Sequence, residues 1–110
     1  MQIDRFIEQD VIITTVKGRL DSSSSHKLDD FLAEIPAGNN AILLDFAELT
    51  YISSAGLRVV LKATKLARSH GVALAICSLV PQVHEVFDVS GFTTLIPIHP
   101  DRGAALASFA

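Results

Sequence analysis

Two adjacent hydroxyls and a glycine, in Ser53-Ser54-Ala55-Gly56-Leu57, are the residues of this chain best placed for chemistry. They follow the apolar run Ala41-Ile42-Leu43-Leu44-Asp45-Phe46, which reads as a strand, and precede Arg58 to His70, which carries helical periodicity. A serine at that junction sits beyond the carboxyl end of a strand and at the positive end of a helix. Open α/β proteins bind ligands there, and a phosphate is electrostatically favoured. The segment therefore reads as a modifiable serine. A plainer reading is structural: one serine caps the helix, and Gly56 relieves close packing against the preceding strand. Capping alone leaves the Ser-Ser-Ala-Gly start unexplained, because glycine is a poor helix former.

Other chemistries find less support. A hydrolytic serine would sit in G-x-S-x-G with an acid–histidine pair, and neither is present. His26, His70, His84 and His99 are scattered over helix starts, helix ends and loops without metal-ligand spacing, and each is expected to face solvent. Gly18 and Gly56 are isolated, so no Gly-rich phosphate cradle is formed. Asp21 and Asp45 would serve an aspartyl-phosphate site, but the lysine such a site needs does not follow the later strands. The chain is expected to be no enzyme and to need no cofactor or metal. A small hydrolase using Ser54 would react with serine-directed phosphonates, and no such reaction is expected.

The elements that must position the serines follow from periodicity. Ile3 and Phe6-Ile7, the polar turn Glu8-Gln9-Asp10 and the β-branched run Val11 to Val16 read as a hairpin that ends at Gly18-Arg19-Leu20-Asp21. Asp21 and Ser22 to Ser25 offer N-caps to a helix whose stripe is Leu28, Phe31, Leu32 and Ile35, with Pro36 to Asn40 ending it. The second helix spans about Ser54 to His70, with Gly71 as its C-cap. Arg58, Lys62, Lys65 and Ser69 form its polar, mostly basic stripe. Val72 to Cys77 reads as a covered parallel strand. Pro81 opens a short helix with Val83, Val86 and Phe87 on its apolar side and Ser90-Gly91 at its end. Thr94 to Ile98 reads as an edge strand, and Arg102 to Phe109 as a last helix. The order β-β-α-β-α-β-α-β-α predicts an α/β fold with a mostly parallel sheet after the opening hairpin.

Composition agrees. With 110 residues, 49% apolar and 19% charged, the chain is expected to form one globular domain over residues 1–110. A net charge of −3 without a basic block argues against nucleic acid as a partner. Cys77 has no second cysteine to pair with and reads as a small buried hydrophobe in a reducing compartment. Charges at Asp4, Arg5, Glu8 and Asp10 interrupt any signal peptide, and no apolar run approaches the roughly 20 residues of a membrane span. A soluble, cytoplasmic protein without membrane contact is the expectation.

Several of these stretches match one family in order. Gly18-Arg19-Leu20-Asp21, Leu44-Asp45-Phe46, Leu49-Thr50-Tyr51-Ile52-Ser53-Ser54-Ala55-Gly56-Leu57 and Val86-Phe87-Asp88-Val89-Ser90-Gly91-Phe92, followed by Leu95 to Ile98, resemble the bacterial anti-sigma factor antagonists of the STAS domain family. The resemblance implies the STAS fold: a mixed, mostly parallel sheet with an N-terminal hairpin and about four packed helices. It also implies a partner-switching pathway. The unphosphorylated antagonist binds a serine kinase that is itself the anti-sigma factor and uses ATP and magnesium. Phosphorylation releases the antagonist, and a serine phosphatase restores it. Matching on Gly56-Leu57 puts the phosphoacceptor at Ser54 and makes Asp21 the acidic residue near it. Many members have aspartate where this chain has Ser53.

A phosphate adds about −1.5 to −2 charges and is tolerated at a helix N-terminus, so the fold should survive while a partner surface built for a neutral hydroxyl is disrupted. The docking face expected from the sequence comprises Asp21, Ser22 and the serines up to Ser25, Ser53 to Leu57 including Gly56, and the stripe of Arg58, Lys62 and Lys65. A merely solvated helix face is the alternative for that stripe. The competing role for the whole chain is an unphosphorylated STAS scaffold or ligand-sensing module in a signalling or transport assembly.

Overall fold

The computed structural model describes residues 1–34 and 41–109. Strand β1 (Gln2–Glu8) turns back at Gln9 and Asp10, both with positive φ (52° and 63°), and pairs antiparallel with β2 (Val11–Leu20). Such mirror-image two-residue turns match the twist of the strands they join. After α1 (Ser25–Ala33), β3 (Ala41–Asp45) lies parallel to the first half of β2. A further strand, β4 (Leu49–Ile52), lies parallel to its second half, with Leu20 opposite Ile52 and Arg19 opposite Tyr51. The register shifts between Gly18 and Arg19, and Gly18 adopts φ +103°, a conformation that favours glycine. Helix α2 (Ser54–Ser69), β5 (Ala73–Cys77), α3 (Pro81–Val89), a 3-10 turn at Phe92–Thr94, β6 (Ile98–His99) and α4 (Arg102–Ser108) complete the described chain. β5 pairs parallel with β3, and β6 with β5.

Alternation along the strands decides what each helix covers. Ile12, Val16, Leu20, Ile42, Leu44 and Ile76 pack in one cluster with Leu28 and Leu32 of α1, Val60 and Ala63 of α2 and Phe87 of α3. Their neighbours Val11, Ile13, Leu43, Ala75 and Cys77 face the opposite side, against Ala105 and Leu106 of α4. Asp45 is buried on that second side, where its Oδ2 accepts hydrogen bonds from Arg102 Nε at 3.0 Å and from its terminal nitrogen at 2.9 Å. The pair ties α4 to the end of β3 with both carboxylate and guanidinium hydrogen-bonded. Cys77 is fully buried as expected, and burial pushes its thiol up to about 11.

The hairpin, the strands at Ala41–Asp45 and Ala73–Cys77 and all four helices stand where periodicity places them. Four details differ. β4 is a strand in a segment that the order above treats as connection. The edge strand expected over Thr94 to Ile98 is reduced to Ile98–His99, because Leu95 N–H turns back to the Phe92 carbonyl and Thr94 Oγ1 to the Gly91 carbonyl. His70 caps α2, and Gly71 is the residue after it, with φ +68°. His99 is half-buried instead of solvent-facing because it lies in β6 opposite Cys77; its Nε2 is enclosed without a hydrogen-bond partner among the described residues. His26, His70 and His84 are exposed. Ile35 and the helix stop at Pro36 to Asn40 lie outside the described residues.

Candidate functional site at the start of helix α2

The junction is assembled by the ends of β2 and β4. Ser53 N–H donates to the Leu20 carbonyl at 2.9 Å, so the chain leaves β4 still bonded to β2. Ser53 is the N-cap, extended at φ −96° and ψ 175°, and its Oγ accepts from Gly56 N–H at 3.3 Å. Its carbonyl takes the first helical bond, from Leu57 N–H at 2.9 Å. Ser54 is then the first helical residue, and its side chain is exposed. The two hydroxyls thus differ in duty: Ser53 is spent on the helix, and Ser54 faces outward. No acidic residue stands in the first turn of α2, and the N–H groups of Ser54 and Ala55 have no intrahelical acceptor, as in any first turn. This is the positive end of a 16-residue helix.

Gly56 is where helix and strands meet. A Cβ placed on it would come within 2.8 Å of both Leu20 Cγ and the Leu20 carbonyl oxygen, and within 2.9 Å of Ile52 Cγ1. Both structural readings of the Ser-Ser-Ala-Gly start therefore hold together: a capping serine and a glycine required by contact. Gly56 and Leu57 are buried, so they anchor the helix and offer almost no side-chain surface.

Asp21 follows Leu20 at the end of β2 just as Ser53 follows Ile52 at the end of β4, and the Ser53 N–H bond to the Leu20 carbonyl keeps the two strand ends adjacent. Its Oδ1 accepts from Ser23 Oγ at 2.7 Å, Ser23 N–H at 3.0 Å and Ser24 N–H at 3.2 Å, with Ser24 Oγ also 3.2 Å away. The Ser23 hydroxyl is the main reason the carboxyl is held below its usual value; partial burial opposes it, and the Ser23 N–H and Ser24 bonds add to the lowering. Ser24 is buried and occupies the N-cap of α1 without a capping bond. Its Oγ donates to the Arg19 carbonyl at 2.7 Å and accepts from Asp21 N–H at 3.0 Å. The serine run is thus a fixed loop around an ionised Asp21, with Ser22 exposed beside it.

The basic stripe is less uniform than its spacing suggests. Arg58, Lys62 and Lys65 are all exposed, but Lys62 Nζ lies 3.1 Å from each oxygen of Asp29 and links α2 to α1. Two side chains that the sequence does not single out as site residues flank the junction instead. The Arg19 guanidinium lies 4.1 Å above the Tyr51 ring, and its Nε is 3.9 Å from Asp21 Oδ2. Their signal in the sequence is alternation with the buried Leu20 and Ile52, which becomes legible only once Leu49–Ile52 is known to be a strand.

Comparison with known proteins agrees with this architecture. The family model for the STAS domain matches residues 2–105. BtrV of Bordetella bronchiseptica, assigned as an anti-sigma factor antagonist, is 39% identical over 100 residues, covering 90% of this chain and 86% of BtrV. The anti-sigma F factor antagonist of Paenibacillus polymyxa is 29% identical over 110 residues, covering 96% of this chain and 92% of that protein. Among solved structures, an assigned anti-sigma factor antagonist of Thermotoga maritima superimposes with a TM-score of 0.87 at 22% identity, covering 96% of this chain and 92% of that one. With the match running nearly end to end and the sheet, hairpin and helices in the expected order, the chain belongs to the STAS domain family, among the anti-sigma factor antagonists.

Proposed function

We propose that this chain is the phosphorylatable partner in a switching pathway, non-catalytic itself and acting in the cytoplasm. Its unphosphorylated form binds an anti-sigma factor that is also a serine kinase, and phosphorylation at Ser54 ends the complex. The observation that carries this reading is the division between the two serines. Ser53 is engaged in capping, whereas Ser54 stands exposed on the first helical residue. In the transfer, the γ-phosphoryl of ATP bonds to Ser54 Oγ, the hydroxyl proton passes to a base of the kinase, and ADP with its magnesium leaves. A serine phosphatase hydrolyses the ester and restores the hydroxyl.

Charge supplies the switch. The new phosphate lies at a positive helix end with no acidic residue in its first turn, so the fold tolerates it. A partner surface shaped for a hydroxyl does not. A loss of about 3 kcal/mol of binding is roughly a hundredfold in affinity.

The test is incubation with the cognate kinase, ATP and magnesium, followed by mapping of phosphate by mass spectrometry. Label on Ser54 that disappears in Ser54→Ala is the expected result. Efficient labelling of Ser54→Ala refutes the assignment. Stable partner binding that ignores ATP points to the scaffold role instead.

A further inference from the structure

We infer that the stacked pair Arg19–Tyr51 is the centre of the surface that receives the kinase, and that the exposed face of α2 is not; this rests on the phosphorylation reading above. Arg19 flanks the buried Leu20 in β2 and Tyr51 the buried Ile52 in β4, so both project to the outer side of the strand pair, while Asp21 and Ser53 follow directly where the two strands end. Arg19 stands opposite Tyr51 in register, and the residues after the strand ends, Asp21 and Ser53, complete a square closed by the Ser53 N–H bond to the Leu20 carbonyl. Adjacent rows are about 7 Å apart, two residues along a strand. Ser54 leaves directly from one corner.

Three observations favour this square over the helix stripe. Tyr51 is 40% exposed, and its ring is already held under the Arg19 guanidinium at 4.1 Å, so ordering it costs a partner little entropy. Arg19 keeps donors to offer, since it is exposed and the oxygen that faces it, Asp21 Oδ2, is 3.9 Å from its Nε, beyond hydrogen-bond distance. On α2, by contrast, Lys62 is bound to Asp29, and Leu57 and Gly56 are buried. Arginine and tyrosine are also the residue types that most often dominate interfaces.

The square specifies the occupant by charge: a kinase surface that sets a carboxylate on Arg19 and an aliphatic side chain on the Tyr51 ring. That carboxylate would lie about one row from a Ser54 phosphate, inside the roughly 8 Å screening length of physiological salt. Phosphate would repel the partner's carboxylate and compete for Arg19 at once. The docking pair and the modified residue thereby become one switch.

Steady-state phosphorylation by the purified cognate kinase with ATP and magnesium tests this. Arg19→Ala and Tyr51→Ala should each raise KM for the chain about tenfold or more with kcat within about twofold, the signature of lost binding without lost chemistry. Tyr51→Phe should stay near wild type, and Lys65→Ala should leave KM unchanged. Arg19→Glu, an exposed charge reversal, covers the case in which an alanine variant melts early, and should raise KM further. Unchanged KM in Arg19→Glu and Tyr51→Ala overturns the inference, as does a large effect of Lys65→Ala. Absence of any labelling of the wild-type chain overturns instead the phosphorylation reading on which it rests.

Discussion

Gly56 of α2 and Leu20 of β2 approach so closely that a single methyl group between them would touch both the leucine side chain and its carbonyl oxygen at 2.8 Å. A side chain can rotate away from such a contact, but a carbonyl oxygen bonded to Ser53 N–H cannot. Gly56→Ala gains about 1 kcal/mol of helix propensity. Overpacking costs typically 1–3 kcal/mol and occasionally more. Because the contact is with fixed backbone, the upper part of that range applies, and the expected result is a net loss of up to about 2 kcal/mol in urea unfolding, with weaker phosphorylation of Ser54 as the helix start shifts. A midpoint at or above wild type would show that the strands yield more easily than this contact implies.

Ser53 and Ser54 should separate cleanly on mutation. Ser53→Ala removes the acceptor for Gly56 N–H and should cost about 1 kcal/mol of stability, the usual value of an N-cap. Ser53→Asp should restore it, because aspartate caps as well as serine. In both variants phosphate should still map to Ser54, read by tandem mass spectrometry. Transfer of the label to residue 53 in wild-type protein would reverse the roles given to the two hydroxyls.

Charge at residue 54 should cost affinity without costing the fold. Ser54→Asp is expected to melt within a degree or two of wild type, since a carboxylate in the first turn meets the positive helix end. Its affinity for the kinase, measured by calorimetry, should fall by roughly a hundredfold if it mimics the phosphate fully, and by less if a single charge mimics it in part. Unaltered affinity would remove electrostatics as the basis of release.

Cys77 predicts a loss of stability at alkaline pH. Its folded thiol titrates near 11 against a reference value of 9.0, with burial the main cause. Above about 9 the unfolded chain releases this proton while the folded chain retains it, so unfolding is favoured as pH rises. The contribution is intact below pH 9 and is lost between about 9 and 11. Comparing wild type with Cys77→Ala cancels the other alkaline groups: the gap between them in urea unfolding should change in favour of the variant from pH 8 to pH 10.5. A gap independent of pH would mean that the thiol ionises equally well in the fold.

Much of this architecture is written in local pattern. The hairpin is legible because two runs with apolar residues, the second rich in β-branched ones, enclose a polar turn, and α2 because its apolar stripe persists over four turns before Gly71. β4 is not, since Leu49-Thr50-Tyr51-Ile52 is too short to establish a period and becomes a strand only by pairing with the distant end of β2. The short β6 fails for the opposite reason: Thr94 to Ile98 has strand-like residues, but local bonds to Gly91 and Phe92 hold its first half in a turn. At the site, the resemblance implies that Asp21 lies near the serines, and the Ser53 N–H bond to the Leu20 carbonyl holds the two strand ends adjacent. The link from Lys62 to Asp29 and the stacking of Arg19 on Tyr51 depend on tertiary neighbours that no spacing along the chain encodes.

β2 keeps something like a reading frame through the register shift at Gly18, where the extra residue, Thr50, lies in β4. Before it the strand follows β3, after it β4, yet Ile12, Val16 and Leu20 stay on one face throughout, and that unbroken count fixes which residues beyond Gly18 look outward. Inserting or deleting one residue between Gly18 and Asp21 would invert that parity, turning Leu20 toward water and Arg19 and Asp21 toward the apolar interior. Single replacements there alter one contact each, whereas a change of length alters all of them together. Over this short stretch the protein is bound to a count of residues as firmly as to their identities.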